Sequence, residues 1–337
     1  MNAAILTPDA SAPVRAQTVP SARKPQLPAL TGARTLLAVN IVFFHFTPPH
    51  MRYLYPMINN AYVFVGFFFL LSGYVLAYNY GDRAAMLVKR DFWMARFARL
   101  YPVYLLSLAF SFKMLEAEWH VRSHEQFFSG LVLTPLLLQG LDPVLATFWN
   151  TVAWTLSAEA VLYFLFPWLI RLPWPKSTGR LILLVLGIWA LGLVPHSIYL
   201  ALNPDHLAGP ANRYSGGFWL RTLKYTPLSY VCTFLAGIAL AKVQASLTIG
   251  PRQRMLVAAA SLVALVLFFA LAVEHVPYVL MHGGLMVPLF CALVIGLSGQ
   301  NAIASVFAWR PVVLLGQSTY CLYLLHFNAM NLIRLYR

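Results

Sequence analysis

The chain has 337 residues, of which 60% are hydrophobic types and only 10% are charged, against about 25% in an ordinary soluble domain. A soluble protein of this length could not bury so much apolar surface, and three scattered cysteines exclude a disulfide scaffold. The composition therefore indicates a polytopic membrane protein. The net charge of +14 is carried by basic residues at the ends of apolar runs, where they meet lipid headgroups, so no nucleic-acid partner is expected.

The apolar runs predict an all-α bundle of about ten transmembrane helices. Residues 1–28, rich in Ala, Pro and Ser, predict a disordered cytoplasmic tail ahead of a membrane domain over residues 29–337. The runs lie at residues 30–47, 61–80, 98–115, 127–140, 153–171, 181–200, 222–242, 255–273, 282–299 and 312–333. The run 127–140 is short and contains Pro135, so nine helices are expected if it is re-entrant.

The charges of the loops predict a cytoplasmic N-terminus but leave two topologies open. The tail and the loop from Arg83 to Arg99 are basic, whereas the loop 116–125 is acidic and is expected outside. If 127–140 crosses the membrane, the basic loops 171–180 and 242–254 lie outside, against the positive-inside bias. If it does not cross, both loops lie inside and the C-terminus lies outside.

Few ionisable residues fall inside the apolar runs, and each costs ~2.5–3.5 kcal/mol to insert. The candidates among them are Glu159, the histidines His45 and His326, and Arg34 near the start of the first helix. Arg34 and His45 are eleven residues apart, about three helical turns, so they share one face at a separation of ~16 Å. That face holds either structural polar residues or a buried site in which His45 is the general base. Glu159 is expected to pair with Arg34 or with another internal arginine.

Two further patterns concern chemistry. Arg96 and Arg99 stand three residues apart at the start of the third run, which suits a phosphate-bearing ligand or lipid headgroups. Ser157 lies two residues before Glu159, a spacing that turns the two side chains apart on a helix, so no Ser–His–acid triad is expected. No metal site is expected, because the HxxxH pair His120 and His124 lies in a hydrophilic loop without further ligands.

Six motifs between about residues 30 and 333 resemble motifs of the membrane acyltransferase-3 family and follow one another in the same order as in that family. LTGARTLLAVNIVFFHF is similar to its first helix, where ten residues separate an Arg from a His, and FVGFFFLLSGYVLAYNY is similar to its FFxLSGF run. FWMARFARLYPVY matches R-x-x-R-x-x-P-x-Y, and WTLSAEAVLYFLFP matches W-S-L-S-x-E-x-x-F-Y-x-x-x-P. YTPLSYVCTFLAGIALA and LGQSTYCLYLLHF resemble two later helices. The chain departs from the pattern at Thr31, where an Asp is usual, and at Ala160, where a second acid is usual.

The resemblance implies transfer of an acyl group, usually acetyl, from cytosolic acyl-CoA to a hydroxyl of a glycan or lipid-linked saccharide, in a bacterial inner membrane and without a metal. It implies that Arg96 and Arg99 hold the phosphates of acetyl-CoA and that His45 is a general base or an acyl carrier. It further implies that Arg34 holds CoA or stabilises developing charge and that Glu159 orients a cation. Substrate-binding or structural residues expected near the site are Ser72, Trp154, Ser157 and Tyr323.

Two other classes of function compete with the acyltransferase. A proton-coupled secondary transporter could use Arg34, His45 and Glu159 as a relay, and it predicts proton flux without consumption of acyl-CoA. A non-catalytic scaffold protein would use the same residues only to pair helices. This alternative predicts that His45→Ala leaves activity in cells unchanged, whereas Glu159→Ala destabilises the fold. The sequence leaves open the acceptor, the length of the acyl chain, an acyl-histidine intermediate and the oligomeric state.

Overall fold

The computed structural model describes residues 24–46 and 55–335, and within them the chain forms helices and turns without a strand. Most of the predicted tail, residues 1–23, lies outside the described residues. The first helix begins at Pro28, whose fixed φ and missing N–H suit the first turn of a helix.

Sixteen α-helices occur in the described ranges. In chain order they are α1 (Pro28–Phe46), α2 (Tyr55–Asn59), α3 (Phe64–Tyr80), α4 (Lys89–Phe110), α5 (Phe112–Val121), α6 (His124–Leu133), α7 (Trp154–Leu169), α8 (Thr178–Leu202), α9 (Phe218–Tyr225), α10 (Leu228–Ser246), α11 (Pro251–Leu267), α12 (Tyr278–His282), α13 (Val287–Leu297), α14 (Ala302–Phe307), α15 (Arg310–Gln317) and α16 (Thr319–Leu335).

Six helical stretches in this part of the chain are long and apolar enough to cross a membrane, which confirms the predicted all-α membrane fold. They are Pro28–Phe46, Ala61–Met86, Thr178–Leu202, Phe218–Ser246, Pro251–His275 and Tyr278–Leu297. The predicted number of about ten is not confirmed. The last run, 312–333, is divided at Ser318 into α15 and α16.

Two segments differ from their predicted form. In the run 127–140 the helix α6 ends at Leu133. This helix has ten residues and is about 15 Å long, which is half the thickness of the hydrocarbon core. Turns follow, with Leu137 at a positive φ of 60°, so this segment makes no spanning helix. The acidic segment 116–125, expected to be a loop, lies mostly in α5. Ion pairs from Glu116 to Lys113 and from Glu118 to Arg122, spaced three and four residues apart, support that helix.

The basic loops meet at one end of the bundle, called the basic end below. Arg171 donates to the carbonyl oxygens of Ala84 and Leu87 at 3.0 and 2.9 Å. The hydroxyls of Thr178 and Ser246 are 3.0 Å apart, which joins the start of α8 to the end of α10. This arrangement agrees with the topology in which 127–140 does not cross.

The centre of the bundle depends on close contact between α3 and α10. A Cβ atom on Gly73 would overlap the carbonyl oxygen of Phe234, and one on Gly237 would overlap that of Leu70. Small residues allow two membrane helices to approach this closely and to gain van der Waals contact along their length. On the other side, α1 is tied to α15 by a hydrogen bond of 2.8 Å from the Thr35 hydroxyl to the carbonyl of Val312.

Candidate active site

Three adjoining cavities lie between α1, α3, α4, α7 and α16. The arginine cavity, of about 600 Å³, is lined by Arg34, Ser72, Arg96, Arg99, Glu159 and Tyr163 among others. The central cavity, of about 560 Å³, shares Arg34, Ser72, Glu159 and Tyr320 with it and adds Thr155 and Tyr323. The His45 cavity, of about 770 Å³, shares Val65 and Tyr323 with the central one. Shared lining residues thus link the cavity of the arginine pair to that of His45 through the central cavity.

One face of α1 borders all three cavities. Arg34 lines the arginine and central cavities, Ala38 the central one, and Ile41 and His45 the His45 cavity. The spacing of four, three and four residues is that of a single helix face. Both ionisable side chains of α1 are half-buried and face these spaces.

Glu159 on α7 is held by neutral hydroxyl groups. Its Oε1 accepts a hydrogen bond from the Ser72 hydroxyl at 2.7 Å and another from the Tyr163 hydroxyl. The predicted ion pair with Arg34 is not made: the ion pairs found among the described residues do not include Glu159. Both hydrogen bonds fall on one carboxylate oxygen, and the guanidinium of Arg34 lies 6.0 Å from the centroid of the Phe68 ring.

Arg96 and Arg99 differ in exposure although both line the arginine cavity. Arg96 is half-buried, lies 5.9 Å from the Phe92 ring, and its Nε is buried without a hydrogen-bond partner. Arg99, one turn later on α4, is exposed. A buried donor without a partner is costly, and an anionic ligand in the cavity would satisfy it.

His45 has a second histidine as its neighbour. The ring centroids of His45 and His326 are 5.2 Å apart, and that of Phe327 is 5.3 Å from His45. Nδ1 of His326 lies 2.7 Å from the carbonyl oxygen of Tyr323, so this nitrogen carries the proton and Nε2 carries a lone pair. That Nε2 is buried and has no hydrogen-bond partner.

The other predicted site residues fall into two groups. Ser72, Trp154 and Tyr323 line the cavities, and the Tyr323 hydroxyl accepts a hydrogen bond from Thr155 at 3.2 Å. Ser157 is fully buried away from them. Its hydroxyl donates to the carbonyl of Leu137 at 2.6 Å and accepts from the N–H of Gly140 at 3.0 Å. Ser157 therefore holds the turn after α6.

Several cavity residues were not predicted from the sequence. Arg213, Lys224 and His282 line the His45 cavity, and Tyr163 and Tyr320 line the arginine cavity. Lys224 lies inside the apolar run 222–242, so the cost of placing a charge in lipid was a signal that could have identified it. No such signal marks the tyrosines, because aromatic residues are common throughout membrane helices.

The described residues contain no group of three or more His, Cys, Asp or Glu side chains that could hold a metal. The fold and the cavities together define an integral-membrane protein in which cationic, carboxylate and imidazole groups line three adjoining cavities. Residues 27–337 match the family model of an acyltransferase domain. The chain therefore belongs to the acyltransferase-3 family.

Curated relatives agree with this assignment. The chain is 24% identical to the peptidoglycan O-acetyltransferase OatA of Listeria monocytogenes, over 91% of this chain and 50% of that protein. It is 31% identical to the acyltransferase MdmB of Streptomyces mycarofaciens, over 44% of this chain and 40% of that protein. The chain therefore spans half or less of the length of these relatives. No solved structure matches it.

Proposed function

We propose that this chain is an integral-membrane O-acyltransferase of a bacterial inner membrane, with residues 29–337 as its catalytic domain. It transfers an acetyl group from cytosolic acetyl-CoA to a hydroxyl of a glycan or lipid-linked saccharide. The observation that carries the proposal is the series of three cavities between the arginine pair on α4 and His45 on α1. The similarity to OatA, a peptidoglycan O-acetyltransferase, and to MdmB, an acyltransferase, supports the same reaction class.

The donor enters from the basic end in this proposal. Arg96 and Arg99 bind the phosphates of CoA, since guanidinium groups match phosphate geometry and Arg96 has a buried donor without a partner. Arg34, which lines both the arginine and the central cavity, binds the part of the donor that lies deeper. Its separation of ~16 Å from His45 along the helix favours this role over contact with the reacting carbonyl.

Transfer takes place beside His45. The imidazole removes the proton of the acceptor hydroxyl while the hydroxyl oxygen attacks the carbonyl carbon of the thioester. The C–S bond breaks as the C–O bond forms. The imidazolium then protonates the departing CoA thiolate. In the acyl-carrier version, His45 itself takes the acetyl group from CoA and passes it to the acceptor. Glu159, fixed by Ser72 and Tyr163, keeps a negative charge near Arg34 and so orients that cation.

The proposal is tested with the purified chain in lipid nanodiscs, supplied with radiolabelled acetyl-CoA and a mixture of bacterial saccharides. Acetylated saccharide and free CoA are expected in equal amounts. Proton flux into liposomes in the absence of acetyl-CoA, without any acetylated product, would instead identify the proton-coupled transporter. Mass spectrometry of surface polysaccharide from cells with and without the gene identifies the acceptor.

A further inference from the structure

Two cations share the His45 cavity without a carboxylate. Lys224 is 4% exposed, and its Nζ donates to the carbonyl oxygen of Arg213 at 3.2 Å. The guanidinium of Arg213 lies 3.8 Å from the ring centroid of Phe44 and donates to the Phe44 carbonyl at 3.3 Å. The residues that line this cavity include no Asp or Glu. Residues 47–54, outside the described part of the chain, also contain none in their sequence.

This arrangement is costly unless a ligand supplies negative charge. Burial removes most of the hydration of the Lys224 ammonium, and two like charges in one cavity also repel each other. Arginine stays protonated in proteins, so the cavity remains positive whatever the state of the lysine. The ammonium of Lys224 can donate three hydrogen bonds, and one is used by the Arg213 carbonyl. An unpaired cation at membrane depth is best explained as part of a binding site.

The cavity has walls suited to a small polar ligand with flat apolar faces. Tyr62, Trp154 and Tyr278 form aromatic walls beside the cations, and ligand sites combine aromatic walls with a few polar groups in this way. His45 lies in the same space. A ligand bound here would present its hydroxyl groups to the proposed base.

We propose that the His45 cavity binds the acceptor saccharide through an anionic group, which Arg213 and Lys224 hold. The anionic group is a carboxylate on the sugar or a phosphate of its linkage, and both offer the same charged oxygens to the two cations. This inference rests on the proposed acyl transfer, because it assigns the acceptor side of that reaction. Arg96 and Arg99 then serve the donor, and Arg213 and Lys224 the acceptor.

The test measures binding without acyl-CoA, by the thermal stability of the detergent-purified chain at rising concentrations of three probes. The probes are neutral N-acetylglucosamine, N-acetylmuramic acid with its carboxylate, and N-acetylglucosamine 1-phosphate. At least one anionic probe is expected to bind about tenfold or more tighter than the neutral sugar. Preference for the muramic acid assigns the charge to the sugar, and preference for the phosphate assigns it to the linkage.

Matched variants identify the groups responsible. Lys224→Met and Arg213→Gln should each reduce the anionic preference about tenfold. Lys242→Met, which removes the same charge from the same spanning stretch at the basic end, should leave it unchanged. Equal binding of all three probes would overturn the inference. So would a preference that survives both cavity variants, or one that Arg99→Gln abolishes instead, since the anion would then bind elsewhere.

Failure of this inference is distinguishable from failure of the proposed function. Acetyl transfer from acetyl-CoA to neutral saccharides only, with no anionic preference, would refute the acceptor subsite and keep the acyltransferase. An anionic preference that depends on Lys224, in a chain that never consumes acetyl-CoA, would keep the subsite and refute the acyltransferase. If Lys224→Met fails to fold, Arg213→Gln decides the question, because Arg213 is only half-buried.

Discussion

Arg96 and Arg99 should contribute unequally to the binding of CoA. Arg96 is half-buried with an Nε that has no partner, so Arg96→Gln removes a charge-assisted hydrogen bond worth about 1.5–3 kcal/mol. The dissociation constant of CoA should therefore rise about 10- to 150-fold. Arg99 is exposed, and water screens its interaction to about 0.2–1 kcal/mol. Arg99→Gln should weaken binding about fivefold at most.

The assay is isothermal titration of CoA into the chain in nanodiscs, at low and high salt. Arg90→Gln is the matched control, since Arg90 is an exposed residue of the same helix that does not line the arginine cavity. It should bind CoA like the wild type. Unchanged affinity of a folded Arg96→Gln chain, or a larger loss for Arg99→Gln than for Arg96→Gln, would refute the assignment of the buried guanidinium to the phosphates.

Three further variants separate structure from catalysis. Gly237→Val should destabilise the bundle by about 1–3 kcal/mol in thermal unfolding, because its side chain meets the backbone of α3; normal stability would contradict that contact. Ser157→Ala should lose about 2 kcal/mol of stability by freeing two buried backbone groups, yet keep its acyl transfer per folded molecule. His326→Ala removes the imidazole beside His45 whose Nε2 has no hydrogen-bond partner, and it should lower turnover about tenfold or more at unchanged CoA affinity. Full turnover would show that His326 takes no part in the proton transfer.

Helix periodicity predicted the part of the site that lies on one element. Arg34 and His45 share a face because eleven residues make almost three turns, and this geometry needs no information about the rest of the fold. The cost of placing an ionisable group in lipid likewise singled out Glu159, which lines the arginine and central cavities. Both arguments depend only on local geometry and solvation.

Contacts between distant segments could not be predicted in this way. The hydroxyl of Ser72 that binds Glu159 is 87 positions away in the chain, and only the folded bundle brings α3 and α7 close enough for this hydrogen bond. The expected ion pair of Glu159 with Arg34 or another internal arginine is not among the ion pairs of the described residues, and two neutral hydroxyls bind one oxygen of the carboxylate instead. Charge alone also suggested a loop at 116–125, whereas ion pairs along the chain stabilise a helix there.

The most direct test of the acyltransferase is the turnover of His45→Ala in nanodiscs, with CoA affinity and thermal stability measured on the same sample. Loss of acetyl transfer by about 100-fold or more is expected, while CoA affinity and stability remain those of the wild type. Wild-type turnover by the folded variant would contradict a role of His45 as base or acyl carrier.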